Sequence, residues 1–195
     1  MRRVLVLDGV TGAGKSSVLR ELQRDWPRHA ELIPEDDTLG DLMDQIRDPA
    51  WRTRPRFDAL EAVLDRLERA CARDPTQAFV VERFHVTAYA LFPRWDELDG
   101  FDARLTQLGA GVVLLSYPEL LAEDRSIERA DRPAWAPGMD DWYGSRDRAI
   151  EAVVTSQRLR WEALSKTRLP FLHLDTRERA WPSYARSIRA FWGVE

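Results

Sequence analysis

Short apolar runs alternate with amphipathic segments along this chain. Five runs rich in valine, leucine and isoleucine predict buried β-strands. Between them, apolar residues recur every three to four positions, which predicts helices packed against a sheet. The clearest case is Phe57–Ala72, where Leu60, Val63, Leu64 and Leu67 share one helical face. The predicted strands are Arg3–Asp8, Ala30–Ile33, Ala78–Val81, Val112–Ser116 and Leu169–Leu174.

The remaining periodic segments predict further helices, so that strands and helices alternate along the chain. This alternation indicates a single α/β domain with a parallel sheet, and no segment resembles an interdomain linker. Prolines and glycines within Asp131–Gly144 predict a loop or a mobile flap there. The other predicted helices are Lys15–Asp25, Leu39–Ile46, Pro118 to about Arg129, Arg146–Thr167 and Pro182–Trp192.

Composition narrows the function. The chain has 195 residues, and 29 basic against 33 acidic side chains give a net charge of −4, so no broad basic face for a nucleic-acid polymer is expected. A lone cysteine, Cys71, excludes an intramolecular disulfide and a cysteine-based zinc site. No apolar run approaches the ~20 residues that span a bilayer, and the first one ends at Asp8. We therefore expect a cytoplasmic protein with no membrane association.

The sharpest local signal is Gly9–Ser16, GVTGAGKS, which matches the phosphate-loop pattern G-x-x-x-x-G-K-[ST] between a strand and a helix. Glycines let several backbone N–H groups turn toward a phosphate, and the helix that follows adds its positive end. Lys15 supplies a compact charge for the β- and γ-phosphates, and the Ser16 hydroxyl is a ligand for Mg²⁺. The expected ATP contacts here are Gly9, Thr11, Gly12, Ala13, Gly14, Lys15, Ser16 and Ser17.

Several kinds of nucleotide-binding protein are excluded by what the chain lacks. It contains no asparagine, so the Asn-Lys-x-Asp guanine reader of GTPases is absent. No strand ends in Asp-Glu, as large ATPases require, and the chain is too short for one of them. A small kinase or a stand-alone nucleotide-binding module remains.

Four segments in order, Gly9–Ser17, Glu35, Val80–Phe84 and Leu114–Arg132, resemble the nucleoside and nucleoside-monophosphate kinases, above all thymidylate and deoxynucleoside kinases. The resemblance implies a three-layer P-loop NTPase fold: a five-stranded parallel sheet flanked by helices, with a small lid at about residues 122–144. It also implies ATP and Mg²⁺ as cofactors and a small-molecule acceptor, and it suggests a homodimer with the Phe57–Ala72 helix as the candidate contact.

The same resemblance assigns roles to charged residues at two strand ends. Glu35, with Asp36 beside it, matches the carboxylate that accepts the proton of an acceptor hydroxyl. Glu82 would hold Mg²⁺ together with Ser16, and Arg83 would contact the acceptor or the transferring phosphate. The alternatives are an acidic turn that caps a helix and a surface ion pair.

Arginines follow the predicted fourth and fifth strands. In the kinases that the chain resembles, a lid carries arginines that close over the phosphates; Arg125 and Arg129 match them, ahead of Arg132. Helix-surface salt bridges are the alternative, since Glu128 and Arg132 are also suitably spaced. Arg177 matches the position of a loop that grips the adenine base.

The acceptor pocket is the least defined part. Trp51, Arg56, His85 and Tyr89 lie where related kinases bind their acceptor, although aromatic residues at such spacing are also typical of a core. Ile33–Asp37 lacks the arginine of thymidylate kinases, and no tryptophan follows Glu35 as in deoxynucleoside kinases. The acceptor is thus left open between a nucleoside, a nucleoside monophosphate and another small alcohol such as an antibiotic or a metabolite. A non-catalytic ATP-binding regulatory module is a further alternative.

Overall fold

All five strands form one parallel sheet in the order β2-β3-β1-β4-β5. The computed structural model describes residues 2–26, 30–40, 42–45, 55–129 and 132–193. The strands are β1 (Val4–Gly9), β2 (Ala30–Ile33), β3 (Ala78–Glu82), β4 (Gly111–Ser116) and β5 (Phe171–Asp175). The α-helices are α1 (Lys15–Gln23), α2 (Glu35–Leu39), α3 (Leu42–Gln45), α4 (Asp58–Arg73), α5 (His85–Leu91), α6 (Trp95–Gln107), α7 (Trp135–Tyr143), α8 (Arg146–Lys166) and α9 (Trp181–Trp192).

The sheet is the middle of three layers, as expected from the sequence. Along β1, Val4 and Val6 point into one apolar core and Leu5 and Leu7 into the other. Helices α4, α5 and α6 cover the first face, whereas α1, α7 and α9 cover the second. The long α8 contributes to both cores. Because every residue of β1 and β4 is buried, near-continuous apolar runs define the central strands.

The central strand β1 is paired with β3 on one side and β4 on the other. The chain leaves β1 at Gly9 and enters α1 at Lys15. The glycine-rich turn therefore lies at the carboxyl end of the central strand, where the connections that follow neighbouring strands lead away in opposite directions along the sheet. In open parallel sheets this edge, at the carboxyl ends of the strands, forms the ligand crevice. The fold thereby brings the ends of β1, β2, β3 and β4 together.

The segment after β4 differs from the prediction. Instead of one helix to Arg129, it forms a 3₁₀ turn, Glu119–Leu121, followed by a π-helical turn, Glu123–Ile127. A π turn widens the backbone and is frequent at functional sites. Here it turns Arg125 and Ser126 inward, where both are buried.

The expected loop within Asp131–Gly144 is wrong over most of its length, because Trp135–Tyr143 is the helix α7. Pro137 falls in the first turn, where the backbone N–H has no helical partner to lose, and Gly144 ends the helix at φ +82°. The prolines and glycines therefore mark the helix ends. Arg146 ties this helix to the π turn through ion pairs with Asp140, Glu123 and Glu128.

Two further elements differ from the prediction. Of the helix expected over Leu39–Ile46, only Leu42–Gln45 forms a helix of its own, α3, while Leu39 is the last residue of α2 and Gly40 has φ +48°; positions 41 and 46 are outside the described residues. Helices α5 and α6, between β3 and β4, were not predicted. Within the described ranges, the longest helices carry too many charges to cross a bilayer. The apolar face of α4 packs into the core of the same chain. A dimer through this helix stays a prediction.

Candidate active site

A single cleft collects the carboxyl ends of β1, β2 and β3 together with the segment after β4. Its volume is about 760 Å³, enough for a nucleotide and a small second molecule. The lining residues are Thr11, Gly12, Gly14, Lys15, Ser16, Ser17, Glu35, Leu39, Glu82, Arg83, Asp124, Arg125, Glu128, Arg129, Arg132, Trp135, Arg179 and Trp181.

Two glycines of the turn Gly9–Ser16, hereafter the P-loop, are fixed by close neighbours. Gly12 has φ +76°, and a Cβ atom there would lie 1.9 Å from the carbonyl oxygen of Arg125. Gly14 has φ +95°, and a Cβ atom there would lie 2.4 Å from the ring of Trp181. Any other residue would be strained and would clash. The backbone therefore curls as a phosphate cradle requires.

Lys15 opens α1 beneath this cradle. Its side chain is 8% exposed, and Nζ donates a hydrogen bond to the carbonyl oxygen of Gly9 at 3.1 Å. Burial and then the positive charge of Arg83 lower the pKa of Lys15 to about 7. A bound polyphosphate would supply the negative charge that the buried ammonium group lacks.

Ser16 and Glu82, the two residues predicted to hold Mg²⁺, both line the cleft. Burial raises the pKa of Glu82 above its usual range, although Lys15 opposes that shift. No cluster of three or more His, Cys, Asp or Glu side chains suited to a metal occurs among the described residues. The oxygen donors of Ser16 and Glu82 nevertheless fit Mg²⁺, which binds through one or two protein groups together with substrate phosphates and water.

Glu35 and Arg83 meet in the same cleft, at the ends of β2 and β3. Glu35 Oε2 lies 3.0 Å from Arg83 Nε, and the Arg83 side chain is only 13% exposed. Arg83 has φ +53°, a left-handed conformation that is uncommon outside glycine. The Thr38 hydroxyl connects Glu35 to the end of β3, since it lies 3.0 Å from the carbonyl oxygen of Glu35 and 2.8 Å from that of Glu82, the residue before Arg83.

Arg125 is more deeply placed than a mobile lid arginine would be. Its guanidinium donates hydrogen bonds to the carbonyl oxygen of Gly12 at 3.0 and 3.2 Å and to that of Thr176 at 3.2 Å. It also lies 6.0 Å from the Trp181 ring. Arg125 therefore connects the P-loop to the segment after β5. Arg129 and Arg132 line the open side of the cleft.

Several predicted site residues lie elsewhere. His85 and Tyr89 are core residues: the His85 ring packs against Phe84 and Trp95, and the Tyr89 hydroxyl donates to Glu162. Asp36 is exposed and does not line the cleft. Arg56 is exposed and paired with Asp58, and Arg177 is exposed and paired with Asp175. Trp51 lies outside the described residues. Gly9 and Ala13 shape the P-loop without lining the cleft.

Other cleft residues were not predicted. Arg177 was expected to line the cleft, but the residues two and four positions further on, Arg179 and Trp181, line it instead. Trp181 directly precedes the proline that marks the start of α9. Trp135 and Leu39 also line the cleft. Asp8 does not line the cleft but is fully buried at the end of β1. A charged residue at the end of an apolar strand, just before the P-loop, is a feature from which the sequence could have indicated a role for this position.

The parallel sheet ordered β2-β3-β1-β4-β5, with a phosphate loop between the central strand and α1, is the three-layer P-loop NTPase fold expected from the sequence. Solved structures agree. The YorR protein of Bacillus subtilis, in complex with phosphorylated GDP, is 15% identical with a TM-score of 0.61, covering 96% of this chain and 94% of that one. Shikimate kinase of Acinetobacter baumannii, in complex with shikimate, is 17% identical with a TM-score of 0.57, covering 98% and 93%. No protein-family model and no curated protein sequence matches the chain.

Proposed function

We propose that this chain is an ATP- and Mg²⁺-dependent phosphotransferase that moves the γ-phosphoryl group of ATP to a small acceptor. The observation that carries the proposal is the arrangement of one cleft. A phosphate loop with its buried lysine faces a carboxylate, Glu35, held 3.0 Å from Arg83. A module that only bound nucleotide would need the first feature and not the second.

The residues divide the chemistry between them. Phosphoryl transfer depends mainly on alignment and on neutralising the charge of the transferring group. Lys15 and the P-loop N–H groups hold the phosphates, and Arg83 and Arg129 add charge from two other sides of the cleft. Glu35 orients the acceptor hydroxyl and accepts its proton. When bound, Mg²⁺ would be held by Ser16 and Glu82 and would neutralise part of the phosphate charge.

The nucleotide base would lie at the end of the cleft formed by Trp181, Arg125 and Arg179. Trp181 packs over Gly14 at the start of α1, and its aromatic face is a suitable stacking platform for a purine. Arg125 beside the ring adds a cationic plane. This assignment replaces Arg177, whose guanidinium is engaged by Asp175.

We propose a nucleoside or a nucleoside monophosphate as the acceptor, in keeping with the kinases that the sequence resembles. A second candidate is another small alcohol, such as an antibiotic or a metabolite. It is favoured because two residues expected to surround a base, His85 and Tyr89, are buried in the core. The similarity in fold to a shikimate kinase is consistent with an alcohol acceptor of this second kind.

A labelled-phosphate transfer assay would separate these acceptors. The protein is incubated with γ-labelled ATP, Mg²⁺ and a panel of nucleosides, nucleoside monophosphates, amino sugars, phenols and polyols. Transfer to a nucleoside or a monophosphate is expected. Transfer only to another alcohol would replace the first candidate by the second. ATP binding without transfer to any acceptor would favour a regulatory module.

The role of Glu35 is tested with whichever acceptor is found. Glu35→Gln removes the proton-accepting charge but keeps the size of the side chain, so kcat should fall by about 10²- to 10⁴-fold. The dissociation constant for ATP should change by less than about twofold, because Glu35 lies on the acceptor side. Asp37→Asn is the matched control: Asp37 is exposed in the same helix and does not line the cleft. Equal losses of kcat in both variants would contradict the assignment.

A further inference from the structure

Two charged side chains lie in the interior directly behind the P-loop. Asp8, at the end of β1, is 0% exposed, and Arg160, in the middle of α8, is 2% exposed. Arg160 Nε donates to Asp8 Oδ1 at 2.8 Å, and Nη1 donates to the carbonyl oxygen of Ser156 at 2.9 Å. Burial raises the pKa of Asp8, but Arg160 and Thr87 together lower it further, so the carboxyl is ionised near neutral pH.

Thr87 completes this group, which we name the Asp8–Arg160 network (Asp8, Thr87 and Arg160). The Thr87 hydroxyl donates to Asp8 Oδ2 at 2.8 Å and accepts from Arg160 Nη2 at 3.1 Å. Thr87 lies in α5, five residues after Glu82 and four after Arg83. The network thus joins α8 to β1 and α5, and the segments next to β1 and α5, the P-loop and Glu82–Arg83, line the cleft.

The network contacts the P-loop through one residue, Gly9. The backbone N–H of Gly9 donates to Asp8 Oδ1 at 2.7 Å, while the carbonyl oxygen of Gly9 accepts from Lys15 Nζ at 3.1 Å. Residue 9 is therefore held on one side by the buried carboxylate and is bonded on the other to the lysine that serves the phosphates. A displacement of Asp8 would reach Lys15 through this single residue.

Stability alone does not account for charges at this position. A buried ion pair costs desolvation on both partners, and apolar side chains of similar volume are often as stable or more so. The surrounding residues of β1 are valine and leucine, and an apolar residue 8 would continue their packing. What the ion pair adds is directional: each of its hydrogen bonds has a defined geometry that apolar packing lacks.

We propose that Asp8, Thr87 and Arg160 are positioning residues, which fix the entrance of the P-loop and hold Lys15 at the height required by the phosphates. The inference rests on the proposed function in so far as it assumes a bound nucleoside triphosphate. None of the three side chains lines the cleft, so each would act through Gly9 and not by touching the substrate.

The test uses paired threonine variants. Thr87→Val keeps the shape of the side chain but removes the hydroxyl that bonds to the buried carboxylate; Thr87→Ser restores that hydroxyl. Thr167 is a matched control, because its hydroxyl donates to another fully buried carboxylate, Asp102, which has no contact with the P-loop. The dissociation constant for ATP is measured by calorimetry, kcat and KM by turnover, and the unfolding midpoint by chemical denaturation.

We expect both valine variants to lower the unfolding midpoint, and only Thr87→Val to raise the ATP dissociation constant and KM, by about tenfold. Thr87→Ser should recover most of that loss, and Thr167→Val should stay within about twofold of the native protein. If Thr87→Val does not fold, Arg160→Lys takes its place: it keeps the buried charge but lacks the planar fork that bonds to Asp8 through Nε and to Thr87 through Nη2.

The outcomes are distinguishable. If Thr87→Val and Thr167→Val lose stability alike while both bind ATP as the native protein does, the network is only structural and the inference is overturned. If the native protein itself binds no nucleoside triphosphate, the proposed function fails, and this inference fails with it. Native ATP binding that weakens in Thr87→Val and recovers in Thr87→Ser supports the positioning role.

Discussion

The two ends of the cleft are built in different ways. The end of the cleft that we propose for the nucleotide consists of backbone: the P-loop is curled by glycines, overlaid by Trp181 and hydrogen-bonded to Arg125 and to the Asp8–Arg160 network. The end that we propose for the acceptor consists of side chains that project from strand ends, where Glu35 and Arg83 are paired. Leu39, in the same helix as Glu35, also lines the cleft.

This difference indicates which half fixes the chemistry and which half sets the choice of acceptor. A backbone cradle recognises a phosphate group and tolerates little change, because each N–H direction depends on the whole turn. Side chains at strand ends can be exchanged without altering the sheet, so one fold serves many acceptors. Substitutions at the nucleotide end should therefore affect every activity of the protein, and those at the acceptor end should depend on the acceptor.

The variant with the largest expected effect on this difference between the two ends is Lys15→Met. Removing the only positive charge inside the cradle should lower kcat/KM by on the order of 10³-fold with any acceptor, because the transferring phosphate loses its closest cation. Glu35→Gln should instead leave ATP binding intact. Steady-state kinetics together with calorimetry distinguishes the two patterns. An ATP affinity that is unchanged in Lys15→Met would show that the P-loop is not the nucleotide site.

A second prediction concerns pH. Since the pKa of Lys15 in the free protein is lowered to about 7, the ammonium form is lost as the pH rises above that value. Binding of ATP favours the charged form, so the dissociation constant should rise by about tenfold per pH unit between pH 7 and 9. Calorimetry at several pH values measures this slope. In Lys15→Met the slope should disappear, and a flat profile for the native protein would contradict the prediction.

The smallest expected effect distinguishes the base from the phosphates. Trp181→Ala removes the stacking surface next to Gly14 and should raise KM for ATP by about tenfold, while KM for the acceptor stays unchanged. Trp181→Phe, which keeps an aromatic face, should recover most of the loss. The measurement is steady-state kinetics with each substrate varied in turn. A larger effect on KM for the acceptor than on KM for ATP would show that the acceptor, and not the nucleotide base, lies beside Trp181.

The sequence was most informative where local pattern determines local structure. The apolar runs located all five strands to within two residues at either end, and the P-loop pattern gave Lys15 and Ser16 their positions at the start of α1. Glu35, Glu82 and Arg83 also line the cleft as expected. These residues follow parallel strands directly, and the carboxyl ends of such strands share one edge of the sheet.

The remaining residues depend on tertiary contacts that spacing does not encode. His85 and Tyr89 directly follow the charged strand end, yet the first turns of α5 carry them into the core against Trp95. Trp181 reaches Gly14 from the far end of the chain, and Arg160 reaches Asp8 across 152 positions. The π turn at Glu123–Ile127 was also not predicted, because the spacing of its apolar residues is close to that of an ordinary α-helix.

The backbone at Arg83 has a consequence for how this protein could change over generations. A left-handed residue with a Cβ atom carries a conformational cost of roughly 1–2 kcal/mol, which glycine would avoid. If Arg83 contributes to turnover as we propose, selection for thermal robustness alone would replace this arginine, whereas selection for turnover would retain it. Position 83 is thus a point where fitness for heat and fitness for reaction rate oppose each other, and libraries screened for one property should diverge there from libraries screened for the other.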